Sequence, residues 1–297
     1  MSARLRPAIK RFLLRSRFPF RDTILRIGLR VYEGWLAVYA RIRGRGAPDR
    51  GPDGLPVPPP ALRARVSWPA DTTFFLEGGR AQAEFIKELA ARNGGHVQNM
   101  RAVLDFGCGC GRVARWWSGV RGPQIHGCDY NADLVAWCSS NLPFVKTAVN
   151  DLEPPLPYGA EQFDLIYALS VFTHLSAELQ DRWLAELERV LRPGGLLFFT
   201  VSGDVFATKL TPEDRARYDE AHLVTHFVDV EGSNLCAAYH PPRYVRTHMM
   251  EGLDLLEEVP GGSRAAGAVL GQDSYLGRKP SGIEESAAAA TTNSNSA

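Results

Sequence analysis

VLDFGCGCGR, residues 103–112, joins an apolar run that ends in an acid to a turn with glycine at every second position. Apolar residues followed by alternating Gly107, Gly109 and Gly111 read as a buried strand entering a tight turn, with a helical stretch expected after it. Glycine there permits positive φ and lets a ligand approach the backbone closely. The dinucleotide fingerprint G-x-G-x-x-G aims backbone amides and a helix N-terminus at a diphosphate. Here the third glycine comes one residue early, Arg112 takes its place, and Asp105 stands two residues before the first glycine. A carboxylate at the strand's end repels a diphosphate and suits an ammonium group.

This D-x-G-x-G-x-G pattern resembles the glycine loop of class I S-adenosylmethionine (SAM) methyltransferases. The resemblance implies that Gly107, Cys108, Gly109, Gly111 and Arg112 lie along the amino acid and ribose parts of SAM, with Asp105 supporting the methionine amino group. A tight turn without cofactor is the alternative, although such turns rarely need three alternating glycines. A nicotinamide-dependent reductase is a further alternative, and it predicts NAD binding.

Downstream residues fall at the stations this family uses. Gln124 to Asp129 is a short strand whose closing acid stands eighteen residues after Gly111, the place for a contact to ribose hydroxyls. Tyr130 and Asn131 then fall beside the adenine, and Asn131 caps a helix over 132–141. A third strand, 144–149, leads to Asn150, Asp151 and Leu152, which the resemblance places on the adenine; for Asp151 a plain turn role ahead of Pro154 is the alternative. FDLIYAL, 163–169, has the continuous apolar character of a central parallel strand. It delivers Leu169 and Ser170 to the cofactor, and after them Phe172 and His174 to the acceptor side. Ser176 caps a helix to Leu191 with apolar residues at helical spacing. Arg192-Pro193-Gly194-Gly195 ends it before the strand 196–201, a crossover expected to be right-handed. The implied fold is α/β: a Rossmann-like seven-stranded, mostly parallel sheet with an antiparallel last strand, helices on both faces and an N-terminal helical extension. The methyltransferase domain is expected over 98–280.

An insertion, 203–240, is where members of this family build the acceptor pocket. It contains the helix-start pattern Thr211-Pro212-Glu213-Asp214 and a helix expected to reach His222. Asp204 and His226 within it are candidates for positioning the acceptor. A helix over 241–252, a strand over 253–259 and a last strand over 271–279 complete the expected sheet, with Gln272 and Asp273 at its entrance. His174 is the candidate base for an alcohol acceptor, because imidazole titrates near neutral pH; a packing role before Ser176 is the alternative. His222 and His226 share a face only if both are helical, and without a Glu motif no metal site is assigned. Cys108 and Cys110 lack C-x₂-C spacing and read as small turn fillers. The odd count of five cysteines fits free thiols in a reducing compartment.

The net charge of +1 hides an asymmetry. Residues 1–50 hold thirteen Lys and Arg against three acids; the remainder holds 21 against 30. The arm, 1–46, interleaves arginine with Phe, Leu, Ile, Trp and Tyr, a basic amphipathic pattern suited to an anionic membrane surface or a partner groove. It also reads as a helix packed on the acidic body, or as a transit-peptide-like segment. Charges interrupt its longest apolar stretch, which is too short to span a membrane. The proline-rich 47–60 reads as a linker, 61–97 as a helical lid segment with a helix over 81–92, and 281–297 as a disordered tail. The expectation is a cytoplasmic enzyme with peripheral membrane contact through its arm. Its acceptor is expected to be an O- or N-nucleophile of a small molecule or a glycan- or lipid-linked substrate. Two alternatives stand beside it: a non-catalytic SAM-binding scaffold, and an RNA or protein methyltransferase. The acidic body disfavours nucleic acid.

Overall fold

The structure, a computed structural model, describes residues 49–66, 72–263 and 271–281, together with the isolated helical positions Val31, Gly34 and Val38. The rest of the arm, and the tail from 282 onward, lie outside the described residues. One seven-stranded sheet organises the chain. Its strands are β1 (Ala102–Phe106), β2 (Gln124–Asp129), β3 (Val145–Val149), β4 (Phe163–Ala168), β5 (Leu191–Val201), β8 (Asp254–Val259) and β9 (Asp273–Arg278); β6 (Val224–His226) and β7 (Ala237–Tyr239) pair separately. The order is β3-β2-β1-β4-β5-β9-β8. The first five strands are mutually parallel, while β9 runs antiparallel to both β5 and β8. The order reverses between β1 and β4, the switch point outside which open α/β sheets bind their ligands.

Both faces are covered, which is why the central strands β1 and β4 are buried at every position rather than at alternate ones. On one face Val103, Leu165 and Phe198 pack with helix α2 (Gly79–Arg92) and helix α3 (Ala132–Asn141). The other face sends Leu104, Ile166, Leu197 and Phe199 into helix α4 (Ala177–Val190), where Leu179, Trp183, Leu187 and Val190 form the buried stripe. Ser176 caps α4, accepting the Leu179 N–H, and Asn131 caps α3, accepting those of Asp133 and Leu134.

Four local expectations change. The stretch after the glycine loop forms only a 3₁₀ turn, Ala114–Trp117, because left-handed Gly119 and Gly122 lead straight into β2. Arg192 to Gly195, read as a helix end, is the irregular start of the long strand β5; Gly194 N–H donates to Lys279 O at 2.8 Å. The helix read as a lid is a core layer, with Ala83, Phe85, Ile86, Leu89 and Ala90 buried against the sheet. The segment read as a linker is docked in its described part: fully buried Arg115 pairs with Asp53 at 2.6 Å and donates to the carbonyls of Leu55 and Pro56.

Candidate functional site

A cleft of about 230 Å³ opens at the carboxyl ends of β1, β2 and β4. Its floor is the glycine loop, with Gly107, Gly109 and Gly111 all at positive φ, between 54° and 77°. The loop is stitched to β2: the Gly107 and Cys108 N–H groups both donate to Cys128 O at 2.9 Å. Asp129 completes the clasp, its two carboxylate oxygens accepting from Gly109 N–H (2.9 Å) and Asn131 N–H (2.8 Å). Burial raises its pKa, and those two bonds act against the rise.

Asp105 lines the cleft at the end of β1. Burial pushes its carboxyl up to about 7; the Tyr167 hydroxyl and the Arg112 charge pull it back, and the Asp129 charge adds to the rise. Arg112 also lines the cleft, its guanidinium 5.7 Å from the Phe74 ring and its Nη1 buried without a hydrogen-bond partner. A second unpartnered buried atom, Asn150 Oδ1, lies at the cleft wall after β3. An unmet cationic donor, a costly carboxyl and an unmet amide acceptor in one cavity are desolvation costs that a ligand of opposite polarity at each point would offset.

Most of the sequence-derived cofactor candidates line this cleft: Asp105, Gly107, Cys108, Gly109, Arg112, Asp129, Tyr130, Asn131, Asn150, Asp151, Leu152, Leu169 and Ser170. Gly111 does not; a Cβ there would lie 2.3 Å from Leu142 Cδ1, so that glycine serves the close packing of α3. His174 joins the lining from the short turn Phe172–His174. Its Nδ1 lies 2.8 Å from Cys236 O; a carbonyl only accepts, so Nδ1 carries the proton and Nε2 the free lone pair. Burial lowers the His174 pKa, partly offset by that bond.

The acceptor candidates are placed elsewhere. Phe172 is fully buried and packs edge-on to Phe199, so it is a core residue. Asp204 accepts from the Tyr218 hydroxyl at 2.9 Å, and His226 Nε2 lies 2.9 Å from Asp214 Oδ2, both away from the cleft lining. The insertion helix stops at Asp219, which leaves His222 on a turn and His226 on β6 instead of on one helical face. Among the described residues no group of three or more His, Cys, Asp or Glu side chains is arranged to hold a metal. The Cys110 and Cys128 thiols are fully buried, and that burial pushes them well above their usual range.

Sequence reading named none of the roof residues, which come from within the segments read as a lid, 61–97, and as an acceptor-pocket insertion, 203–240. Helix α1 (Pro60–Val66) brings Arg65 and Val66 over the cleft, and Gly232, Ser233 and Asn234 descend from the insertion. Arg65 bonds Asn131 Oδ1 and Asp133 Oδ2, Asn234 Nδ2 donates to Arg65 O, and the Tyr130 hydroxyl donates to Gly232 O. Trp183, read as part of a core stripe, also reaches the cleft, its indole N–H donating to Leu152 O at 3.0 Å. No local pattern marks these residues, because long-range packing alone brings them there.

The methyltransferase-domain family matches residues 104–199, the segment that builds this floor and its switch point. That segment is a methyltransferase domain of the class I SAM-dependent type. The methyltransferase domain is similar to malonyl-[acyl-carrier protein] O-methyltransferase of Salmonella typhimurium, 34% identical over 99 residues, covering 33% of this chain and 38% of the relative. It is also similar to methyltransferase GfsG of Streptomyces halstedii, 29% identical over 137 residues, covering 44% and 47%. The chain thus spans under half the length of these curated relatives. Among solved structures, a glycopeptide N-methyltransferase, MtfA, with S-adenosylhomocysteine bound aligns at 14% identity and a TM-score of 0.48, covering 68% of this chain and 90% of that one. The family's cofactor is SAM, and the charges of the cleft fit its zwitterionic amino acid end. No described helix is long and apolar enough to cross a membrane.

Proposed function

We propose that this chain transfers the SAM methyl group to an oxygen or nitrogen nucleophile of a small molecule or a glycan- or lipid-linked acceptor, with His174 as general base. The observation that carries the reading is the pairing, in one cleft, of the Asp129 clasp and the Asp105–Arg112 charges with a histidine whose free nitrogen is fixed by a backbone carbonyl.

When bound, SAM supplies a methyl group on a sulfonium with an excellent leaving group. Asp105 would hold the ammonium and Arg112 the carboxylate of its amino acid end. Asp129 has lone pairs left for the ribose hydroxyls, since each oxygen takes only one backbone N–H in the free chain. Asn150 Oδ1, Leu152 and Trp183, which line the cleft, would form the wall against the adenine. What remains for the protein is alignment of the nucleophile and removal of its proton. His174 Nε2 would take the proton of an acceptor hydroxyl, and the Cys236 carbonyl, against Nδ1–H, would stabilise the imidazolium. A lowered pKa keeps that imidazole neutral, and therefore basic, near pH 7.

The test has two steps. Calorimetry should show SAM and its demethylated product binding to the full chain, with no binding of NAD. A labelled-methyl assay on fractionated lysate then supplies the acceptor, and in single turnover His174→Ala should lose about 10²–10⁴-fold in rate with SAM affinity retained. An unchanged single-turnover rate refutes the base assignment. Cofactor binding without transfer to any fraction favours a non-catalytic SAM-binding protein.

A further inference from the structure

We propose that Gln180 and His240 are positioning residues for His174: a buried amide–imidazole pair that grips the 172–175 turn on both sides of that histidine and ties it to the sheet. The catalytic consequence rests on the methyl-transfer reading above; the geometry does not.

Gln180, on α4, is fully buried, and its Nε2 lies 3.1 Å from both Phe172 O and Leu175 O, two residues before and one after His174. Carbonyl oxygens only accept, so the amide NH₂ faces the turn. Its Oε1 therefore faces His240 Nε2, 3.1 Å away, and that nitrogen must carry the imidazole proton. Burial drives the His240 pKa down to about 3, which holds the ring neutral at ordinary pH. The His240 main chain is anchored to the sheet, because its backbone N–H donates to Ser202 O at 2.8 Å, directly after β5. One polar chain thus runs from the sheet edge through His240 and Gln180 to the backbone around His174.

The opposite side of the turn is held by the insertion. Gly232 N–H donates to His174 O at 2.7 Å, Ser176 N–H donates to Glu231 Oε2 at 2.9 Å, and Cys236 O takes the His174 ring proton. The bond to Cys236 fixes which ring nitrogen is free only while the turn stays at its height, and the Gln180–His240 pair sets that height from within. Removing His240 orphans a fully buried amide oxygen, a cost relieved by rotating the amide and releasing the turn.

The experiment compares full-length wild type with His240→Leu, Gln180→Met and His240→Gln. Each is followed by thermal unfolding, calorimetry with S-adenosylhomocysteine and the imidazole ¹⁵N signals of His174. In wild type the His174 signals should show one protonated and one bare nitrogen. His240→Leu and Gln180→Met should average the two while the chain still folds and binds S-adenosylhomocysteine as before. His240→Gln, whose amide nitrogen reaches the place of the imidazole Nε2, should restore the single tautomer. A folded His240→Leu or Gln180→Met with unchanged His174 signals overturns the proposal, as does His240→Gln behaving like His240→Leu. If both apolar variants unfold, Gln180→Glu decides: a carboxylate cannot donate to the two carbonyls, so retention of the wild-type His174 signals overturns the clamp. The signature needs no turnover, so a wild type that shows it but transfers no methyl refutes the catalytic reading alone.

Discussion

Burial lifts the Asp105 carboxyl from 3.8 to about 7, which makes its proton a competitor of any ammonium group that binds there. Above pH 7 the carboxylate is ionised and ready for a cation; below it a bound cofactor must displace a proton. The dissociation constant for SAM should therefore rise as pH falls from about 7 to about 5.5, approaching tenfold per unit. In Asp105→Asn that dependence should vanish and affinity be weak throughout; calorimetry across the range checks both. The linkage for folding has the same origin. An acid whose folded pKa lies above its unfolded one costs stability as pH rises from about 4 to about 7, so at pH 8 the ligand-free Asn variant should melt higher than wild type. Asp105 and Asp129 were legible in the sequence because a strand end fixes where a side chain stands. Phe172, Asp204 and His226 were not: the short turn 172–174 buries Phe172 against Phe199, and the insertion folds its own polar groups against each other.

Helix α2 begins with a glycine where propensity asks for alanine, which alone would stabilise a helix by about 1 kcal/mol. Packing overrides propensity here. A Cβ on Gly79 would lie 2.1 Å from the Arg112 carbonyl oxygen, and Arg112 belongs to the cleft. Backbone cannot yield as a side-chain tip does, so Gly79→Ala should destabilise the chain by about 1–3 kcal/mol and weaken SAM binding by displacing Arg112. Thermal melts with and without SAM separate the two effects. This contact also explains why α2 was misread as a lid. Its amphipathic pattern reports that one face is buried, and the buried surface is the sheet, while the roof comes from α1 and the 232–234 loop. Strands, caps and their order were legible because period and capping chemistry are local. The Arg192–Gly195 segment was not, since its bond to Lys279 depends on a strand more than eighty residues away.

The sequence divides at its proline-rich stretch, yet the fold does not, because Arg115 draws the stretch into the core. The Arg115 guanidinium has no exposed surface, sits 5.8 Å from the Phe75 ring and 5.9 Å from the Trp116 ring, and is held by Asp53 at 2.6 and 2.8 Å. Asp53 is itself only 9% exposed, so neither charge has water as a substitute partner. A buried pair of this kind is weak evidence for net stability, but breaking one side leaves an uncompensated charge. Asp53→Ala should therefore cost about 3–5 kcal/mol in urea or thermal unfolding. Arg115→Met alone should cost less, and Asp53→Ala combined with Arg115→Met should recover much of the loss. Additive losses in the double variant would show that the pair is not coupled. The same argument sets the boundary of the folded unit. Chains shortened to begin at residue 61 lose Asp53 and the Leu55 and Pro56 carbonyls while keeping buried Arg115, and they should unfold at least as readily as Asp53→Ala.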